Sequence, residues 1–337
     1  MKRVFFLGAG ATIEDFPKAP SLKTLLWAML GDNPEDECSV FRNKVHDFIS
    51  QYFFNLNGKS ISQYPSIQDV LSFIDAGLLN NAYFQIDKKY FEEIRDAIVY
   101  LMGATIEKQM YVAAGANTLR LVEQLEPADV VISTNYDIVV DNCFLHKFKN
   151  CVNYGAKFRQ SINAKNKWSN TDAAMPSDVP AYSIDFGPSL LKLHGSFNWL
   201  YCSRCDELDV TVAQKGLLEC MSNKVYCYDH FSCTARYQPL IVSPTFLKDY
   251  KNRIISEVWS LAEQAIAKAD QIIFIGYSMP LDDYEIKSMF LRGISRNINR
   301  PIINVIDKFP QIKDNYEKVF GLVGFSELGF AEYARNL

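Results

Sequence analysis

Apolar residues fall into two rhythms along this chain, and the rhythm separates predicted sheet from predicted helix. Short continuous apolar runs bounded by glycine or polar residues read as buried strands over Val4–Leu7, Asp129–Ser133, Ser189–Leu193, Pro239–Pro244, Gln271–Ile275 and Ile302–Ile306. Between the first two, apolar residues recur at three- and four-residue steps, as in Val45, Phe48, Ile49, Tyr52 and Phe53 or Phe91, Ile94, Ile98 and Leu101. That is the period of a helix face packed on a core. Ser21 is placed to cap a helix over Leu22–Leu30, and Ser66–Asp69 forms a capped entry before Val70, Leu71, Phe73 and Ile74. Ile254–Ala267 carries a further amphipathic stripe.

Strands alternating with helices imply an α/β protein built on a parallel sheet. The expected organisation is one domain over 1–337, with a helical insertion at 31–126 after the first βα unit. Residues 150–189, rich in Asn, Ser, Lys and Pro, read as an irregular excursion, and 200–238 as a small Cys-rich module. Pro17 and Pro20 break the chain into a loop over the mouth of the expected site.

Candidate chemistry sits at the strand ends, where ligands bind in open parallel sheets. The first strand runs into Gly8-Ala9-Gly10-Ala11-Thr12, a turn whose following helix start favours an anion such as a phosphate. The dinucleotide pattern G-x-G-x-x-G is not completed, because Ile13 holds the third position, and a plain strand-to-helix turn is the other reading. The second strand ends in Thr134-Asn135-Tyr136-Asp137, either a polar site or an Asn/Asp turn. The third ends at His194-Gly195-Ser196, where a near-neutral imidazole could serve as a general base or be purely structural. Gly276-Tyr277-Ser278-Met279-Pro280 follows the Gln271–Ile275 strand, and Asp282, Asp283 and Glu285 open the next helix at its positive end. Asp307 closes the Ile302–Ile306 strand and could accept bonds from a ribose or sit in a turn.

Charge and cysteine content narrow the partners. With 337 residues, 48% of them hydrophobic, and a formal net charge of −4, the chain can bury a large core and has no global attraction to nucleic acid or anionic membranes. It shows neither a signal-peptide pattern nor a span-length apolar run, so a cytoplasmic protein is expected. Five of its eight cysteines lie between 202 and 233. Cys202 and Cys205 form a C-x-x-C knuckle, and with Cys227 and Cys233, or His230, they could hold a structural Zn2+. Buried cysteines without metal are the alternative.

The order of these motifs, from Gly8-Ala9-Gly10 through Thr134-Asn135-Tyr136-Asp137, Lys192-Leu193-His194-Gly195-Ser196 and a cysteine knuckle to Gly276-Tyr277-Ser278-Met279-Pro280, resembles the sirtuin (SIR2) superfamily. It is most similar to the bacterial SIR2-like branch associated with antiphage defence. The resemblance spans Val4 to Asp307 and implies a Rossmann-like, NAD-binding fold and cleavage of the nicotinamide–ribose bond of NAD+. It implies that Gly8, Ala9, Gly10 and Thr12 hold the pyrophosphate and adjoining ribose. Asn135 matches the residue that orients the nicotinamide ribose and a water, and Asp137 the one that faces the carboxamide. His194 matches the histidine that bonds the ribose hydroxyls, while Gly276 and Ser278 contact the phosphates or adenosine ribose.

Two departures bear on activity. Asp307 stands where the deacylase branch has an asparagine, and Glu14-Asp15-Phe16-Pro17-Lys18 lacks the deacylases' Phe-Arg pair. Both favour an NAD+ glycohydrolase (NADase) releasing nicotinamide and ADP-ribose, as an antiphage effector with an activating partner protein or homo-oligomeric assembly. An NAD-dependent protein deacylase and a non-catalytic NAD+ or ADP-ribose sensor are the alternatives.

Overall fold

The computed structural model describes residues 1–31, 38–54, 56, 58–60, 63–80, 85–109, 114–148, 152–160, 187–210, 235, 237–280 and 283–337. The first strand, β1 (Arg3–Leu7), buries Val4 through Leu7 and turns directly into α1 (Ala9–Asp15). Helices α2 (Leu22–Leu30), α3 (Ser39–Tyr52), α4 (Ile67–Leu79), α5 (Lys88–Gln109) and α6 (Ala116–Glu123) follow before β2 (Val130–Ser133) and α7 (Val139–Lys147). The chain continues through β3 (Arg159–Gln160), β4 (Ser189–Lys192), β5 (Gly195–Cys202), β6 (Glu207–Val210) and β7 (Gln238–Ile241). Then come α8 (Arg253–Ile266), β8 (Gln271–Ile275), α9 (Tyr284–Ser295), β9 (Ile302–Ile306), α10 (Lys313–Phe320), β10 (Gly324–Ser326) and α11 (Phe330–Arg335).

Six strands form one sheet in the order β10-β9-β8-β1-β2-β4, every pair parallel. The chain builds outward from β1 through β2 to β4, then returns to the other side of β1 and builds outward again from β8. Such a reversal opens a crevice at the carboxyl ends of the central strands. The β1, β2 and β8 ends, carrying Gly8, Thr134 and Gly276, therefore meet there.

A second, four-stranded sheet, β3-β6-β5-β7, has β5 antiparallel to β6 and β7. Its β7 overlaps the strand expected over Pro239–Pro244, whereas β5 gave no sequence signal because it is buried along nearly its whole length and so lacks the alternation of a half-exposed strand. Gly195 makes the reversal from β4 into β5 possible. Its φ is +73°, and a Cβ there would collide with the Leu240 carbonyl.

The helices between β1 and β2 have their own core, in which Leu25, Phe48, Ile74, Phe91 and Ile98 are buried. Tyr136, from the loop after β2, and Phe197, from β5, belong to this core, so the loop after β2 is anchored in the helical layer. Ser66 caps α4 through Asp69 N at 3.0 Å, and Ser21 forms a capping box with Thr24 at α2.

Glu14 and Asp15, at the end of α1, serve as helix caps. Asp15 accepts bonds from Asn117 N, Thr118 N and Thr118 Oγ1 at the start of α6, and Glu14 from Phe330 N and Ala331 N at the start of α11. Carboxylates at these positive helix ends fix α1, and with it the glycine turn, against two neighbours.

Candidate active site

The glycine turn after β1 is shaped by the turn after β8. Gly8 N donates to Ile275 O at 3.0 Å and Gly10 N to Gly276 O at 2.8 Å. A Cβ on Gly8 would lie 2.6 Å from Gly276 O, and one on Gly10 2.8 Å from Gly276 Cα. Gly276, at φ +59°, would in turn drive a Cβ into Ala11 N. The three glycines are thus needed for backbone-to-backbone contact, and all three of their amides are spent within the protein, that of Gly276 on Ile306 O at 3.1 Å. Of the turn's amides, that of Ala9, an exposed residue, has no partner among the described residues.

Thr12, Asn135 and Asp137 converge beneath that turn as one buried chain of hydrogen bonds. Asn135 Nδ2 donates to Gly8 O and to Thr12 Oγ1, both at 3.0 Å. Thr12 Oγ1 donates to Asp137 Oδ2 at 2.9 Å, and Val139 N to Asp137 Oδ1 at 3.0 Å. A carbonyl only accepts, so the contact with Gly8 O fixes the amide orientation of Asn135. Asn135 Oδ1 consequently faces away from these partners and accepts no bond among the described residues. Burial raises the Asp137 pKa above the ordinary carboxylate value, against the lowering effect of Lys192 and of the two bonds it accepts.

Lys192 holds this loop from below. Its Nζ is buried, donates to the Asp137 carbonyl, and pairs with Asp141 Oδ2 at 2.9 Å. Tyr154 OH donates to the other Asp141 oxygen at 2.5 Å. A lysine inside the apolar run Ser189-Leu-Leu-Lys-Leu193 was the available signal, since burying an ammonium requires a paired and hydrogen-bonded site.

His194 is 6% exposed and has Tyr136 and Tyr250 as ring neighbours, at centroid distances of 6.0 and 6.3 Å. One ring nitrogen bonds the Thr134 backbone, while Nε2 is buried without a partner among the described residues. The sequence suggested a near-neutral imidazole, and the structure corrects this: burial first, then nearby Lys248, lower its pKa to about 4. His194 is therefore neutral at pH 7, with Nε2 able to accept a proton or hydrogen bond.

Beside His194 lie Lys248, which the sequence did not single out, and Asp283, which it placed at the start of α9. Lys248 pairs with Asp283 Oδ1, and Tyr277 OH donates to Asp283 Oδ2 at 2.9 Å. Asp283 was expected to serve the positive end of α9, yet its side chain makes no cap bond there. The competing ion pair with Lys248, itself buried, takes the carboxylate instead. Asp282 lies outside the described residues.

Gly276 reaches the crevice as above, and the exposed Ser278 lies just beyond it, its carbonyl bonded by Asn315 Nδ2 at 3.1 Å. Asp307 follows β9 and accepts from Phe309 N at 2.9 Å, as a turn aspartate does. Burial and Glu14 raise its pKa, while the bond from Phe309 N and Lys308 act the other way.

Cys202 ends β5 and Cys205 lies in the turn before β6, where Asp206 N donates to Cys202 O at 2.8 Å. Cys202 is buried with Leu200 and Tyr237 in a small apolar cluster that Cys205 flanks. Among the described residues no group of three or more His, Cys, Asp or Glu could hold a metal ion. Cys227, His230 and Cys233 lie outside the described residues.

Fold and site together define a Rossmann-like α/β protein, with a buried Asn–Thr–Asp chain and a neutral histidine at the reversal point of its parallel sheet. No family model and no curated protein matches the chain. Among solved structures it is similar to a Sir2 mutant with a p53 peptide and NAD, at 12% identity over 99% of this chain and 90% of that one, with a TM-score of 0.47. A Sir2 homologue mutant in complex with ADP-ribose is similar at 13% identity, over 99% and 89% of the two chains, with a TM-score of 0.47. Among the described residues no helix is long and apolar enough to cross a membrane.

Proposed function

We propose that this chain is a SIR2-like NAD+ glycohydrolase, cleaving NAD+ to nicotinamide and ADP-ribose. The observation that carries the reading is that Asn135, after β2, and His194, after β4 and bonded to the backbone of Thr134 next to Asn135, each keep an acceptor with no partner among the described residues, Oδ1 and Nε2. Water adds to C1′ of the nicotinamide ribose as the glycosidic electron pair leaves with the nicotinamide nitrogen, and the water's proton passes to a base. The departing group is a neutral pyridine and needs no acid, so rate comes from positioning and from stabilising an oxocarbenium-like ribose. Asn135 Oδ1 can accept from a ribose hydroxyl or the water without becoming charged. The neutral His194 can take the proton at Nε2.

In this reading Ala9, with Gly8, Gly10 and Thr12 shaping the turn, lies along the pyrophosphate and Asp137 faces the carboxamide. Gly276, Ser278 and Asp307 line the adenosine side. Unregulated NAD+ loss is toxic, so the enzyme acts as an antiphage effector switched on by a partner protein or by self-assembly. Incubation with NAD+, alone and with candidate activators, is expected to yield nicotinamide and ADP-ribose, and Asn135→Ala is expected to abolish both. Release that requires an acylated peptide would identify a deacylase instead, and NAD+ binding without turnover a sensor.

A further inference from the structure

Around His194 nearly every polar group has a partner. Tyr136 OH donates to Val242 O at 2.7 Å, Tyr277 OH and Lys248 Nζ both bond Asp283, and one nitrogen of His194 itself bonds Thr134. Among the described residues around the imidazole, two buried polar atoms are left over: His194 Nε2 and the hydroxyl of Tyr250. A buried orphan is costly and rare, so two on neighbouring rings call for an explanation. The two tyrosines beside the imidazole make an internal comparison, since one hydroxyl is anchored to backbone and the other is not.

Tyr250 is also held in place. Its ring packs edge-on against Trp259 at 4.6 Å, and Trp259 Nε1 donates to Leu193 O at 2.8 Å, next to His194. Its own carbonyl accepts from Ser256 Oγ at 2.8 Å. Tyr250 and His194 are thereby fixed relative to each other through one tryptophan, as preorganised binding groups are. Chemically they are complementary: a neutral phenol donates one hydrogen bond and the open imidazole nitrogen accepts one. That pair suits a hydroxyl-bearing ligand, and a vicinal diol best.

We infer that the Tyr250 hydroxyl is a substrate-binding group, donating to a hydroxyl oxygen of the nicotinamide ribose while His194 Nε2 accepts from the same diol. This rests on the NAD+ reading above and adds a contact to it. Tyr250→Phe tests it cleanly, because the substitution keeps the ring against Trp259 and removes no hydrogen bond among the described residues. Thermal stability without NAD+ is expected to hold or rise, since a buried orphan is removed. The kcat/KM for NAD+ is expected to fall about tenfold, the worth of one well-placed hydrogen bond. The loss should vanish for one of two NAD+ analogues, those lacking the 2′- or the 3′-hydroxyl on the nicotinamide ribose.

A Tyr250→Phe enzyme that cleaves NAD+ as the unaltered enzyme does, or that loses equally with NAD+ and both analogues, overturns the inference and leaves the NAD+ reading standing. An unaltered chain that neither binds nor cleaves NAD+ with any activator overturns both.

Discussion

Asn135 reaches across the sheet to Gly8, its Nδ2 donating to the Gly8 carbonyl at 3.0 Å and tying the end of β2 to the turn after β1. The same nitrogen bonds Thr12, so one amide sets the geometry of both walls of the crevice. Asn135→Ala removes these bonds and the proposed water acceptor together. NAD+ cleavage should fall by about 100-fold or more, with a stability loss of about 1–3 kcal/mol. Asn135→Asp is the sharper test: it keeps the shape but sets a carboxylate oxygen against the Gly8 carbonyl, and should cost both activity and melting temperature. Turnover retained in either variant would remove Asn135 from the mechanism.

The lowered His194 pKa fixes a pH window. Below about pH 6.5 an unfolded chain protonates this histidine while the folded one does not, so stability falls as pH drops toward about 4 and the loss then levels off. The effect is on the order of 3 kcal/mol for a fully buried imidazole. Asp137 and Asp307, whose pKa values are raised, contribute in the opposite sense, losing stability as pH rises from about 3.8 through their folded values. Denaturation midpoints between pH 4 and 7, in wild type and His194→Gln, should show the histidine contribution disappear.

Activity should follow the same imidazole. With the base neutral down to about pH 4, the acid limb of kcat/KM is expected well below the ordinary histidine value of 6.5. Lys248 and Asp283 are the charges facing the ring, with Tyr136 and Tyr250 beside it. Lys248→Met removes the cation and leaves Asp283 without its ion pair, so the acid limb should move up. An unmoved limb would show that His194 does not govern it.

Gly276→Ala tests the contact between the two glycine turns. The variant must adopt φ near +59° and place a methyl against the Ala11 amide. A destabilisation of about 1–3 kcal/mol or more is expected in chemical denaturation, with weaker NAD+ binding because the turn after β1 shifts.

Asp15→Ala separates scaffold from chemistry. Losing the cap on α6 should cost about 1–2 kcal/mol, and among the described residues the Asp15 side chain bonds only Asn117 and Thr118. Because Glu14 still holds α1 and the glycine turn against α11, turnover at saturating NAD+ should stay at the unaltered level when measured below the unfolding transition.

What the sequence determined by itself was local. Continuous apolar runs marked the strands of the parallel sheet, helix-period stripes marked the layer between β1 and β2, and polar residues at strand ends flagged Thr12, Asn135, Asp137 and His194. Those signals survive because burial and turn chemistry act over a few residues. Tertiary structure decided the rest. β5 was hidden because a strand covered on both faces loses its alternation, and three-residue β10 is too short to have a period. Whether Gly8 and Gly10 present amides to a ligand or spend them on the β8 turn depends on a contact between segments far apart in sequence. The imidazole of His194 has an ordinary pKa on paper; only burial beside Tyr136 and Tyr250, with Lys248 nearby, keeps it neutral down to about pH 4. Burial and charge proximity are properties of the assembled fold, and they turned a set of strand-end residues into a site with two open acceptors and one unspent hydroxyl.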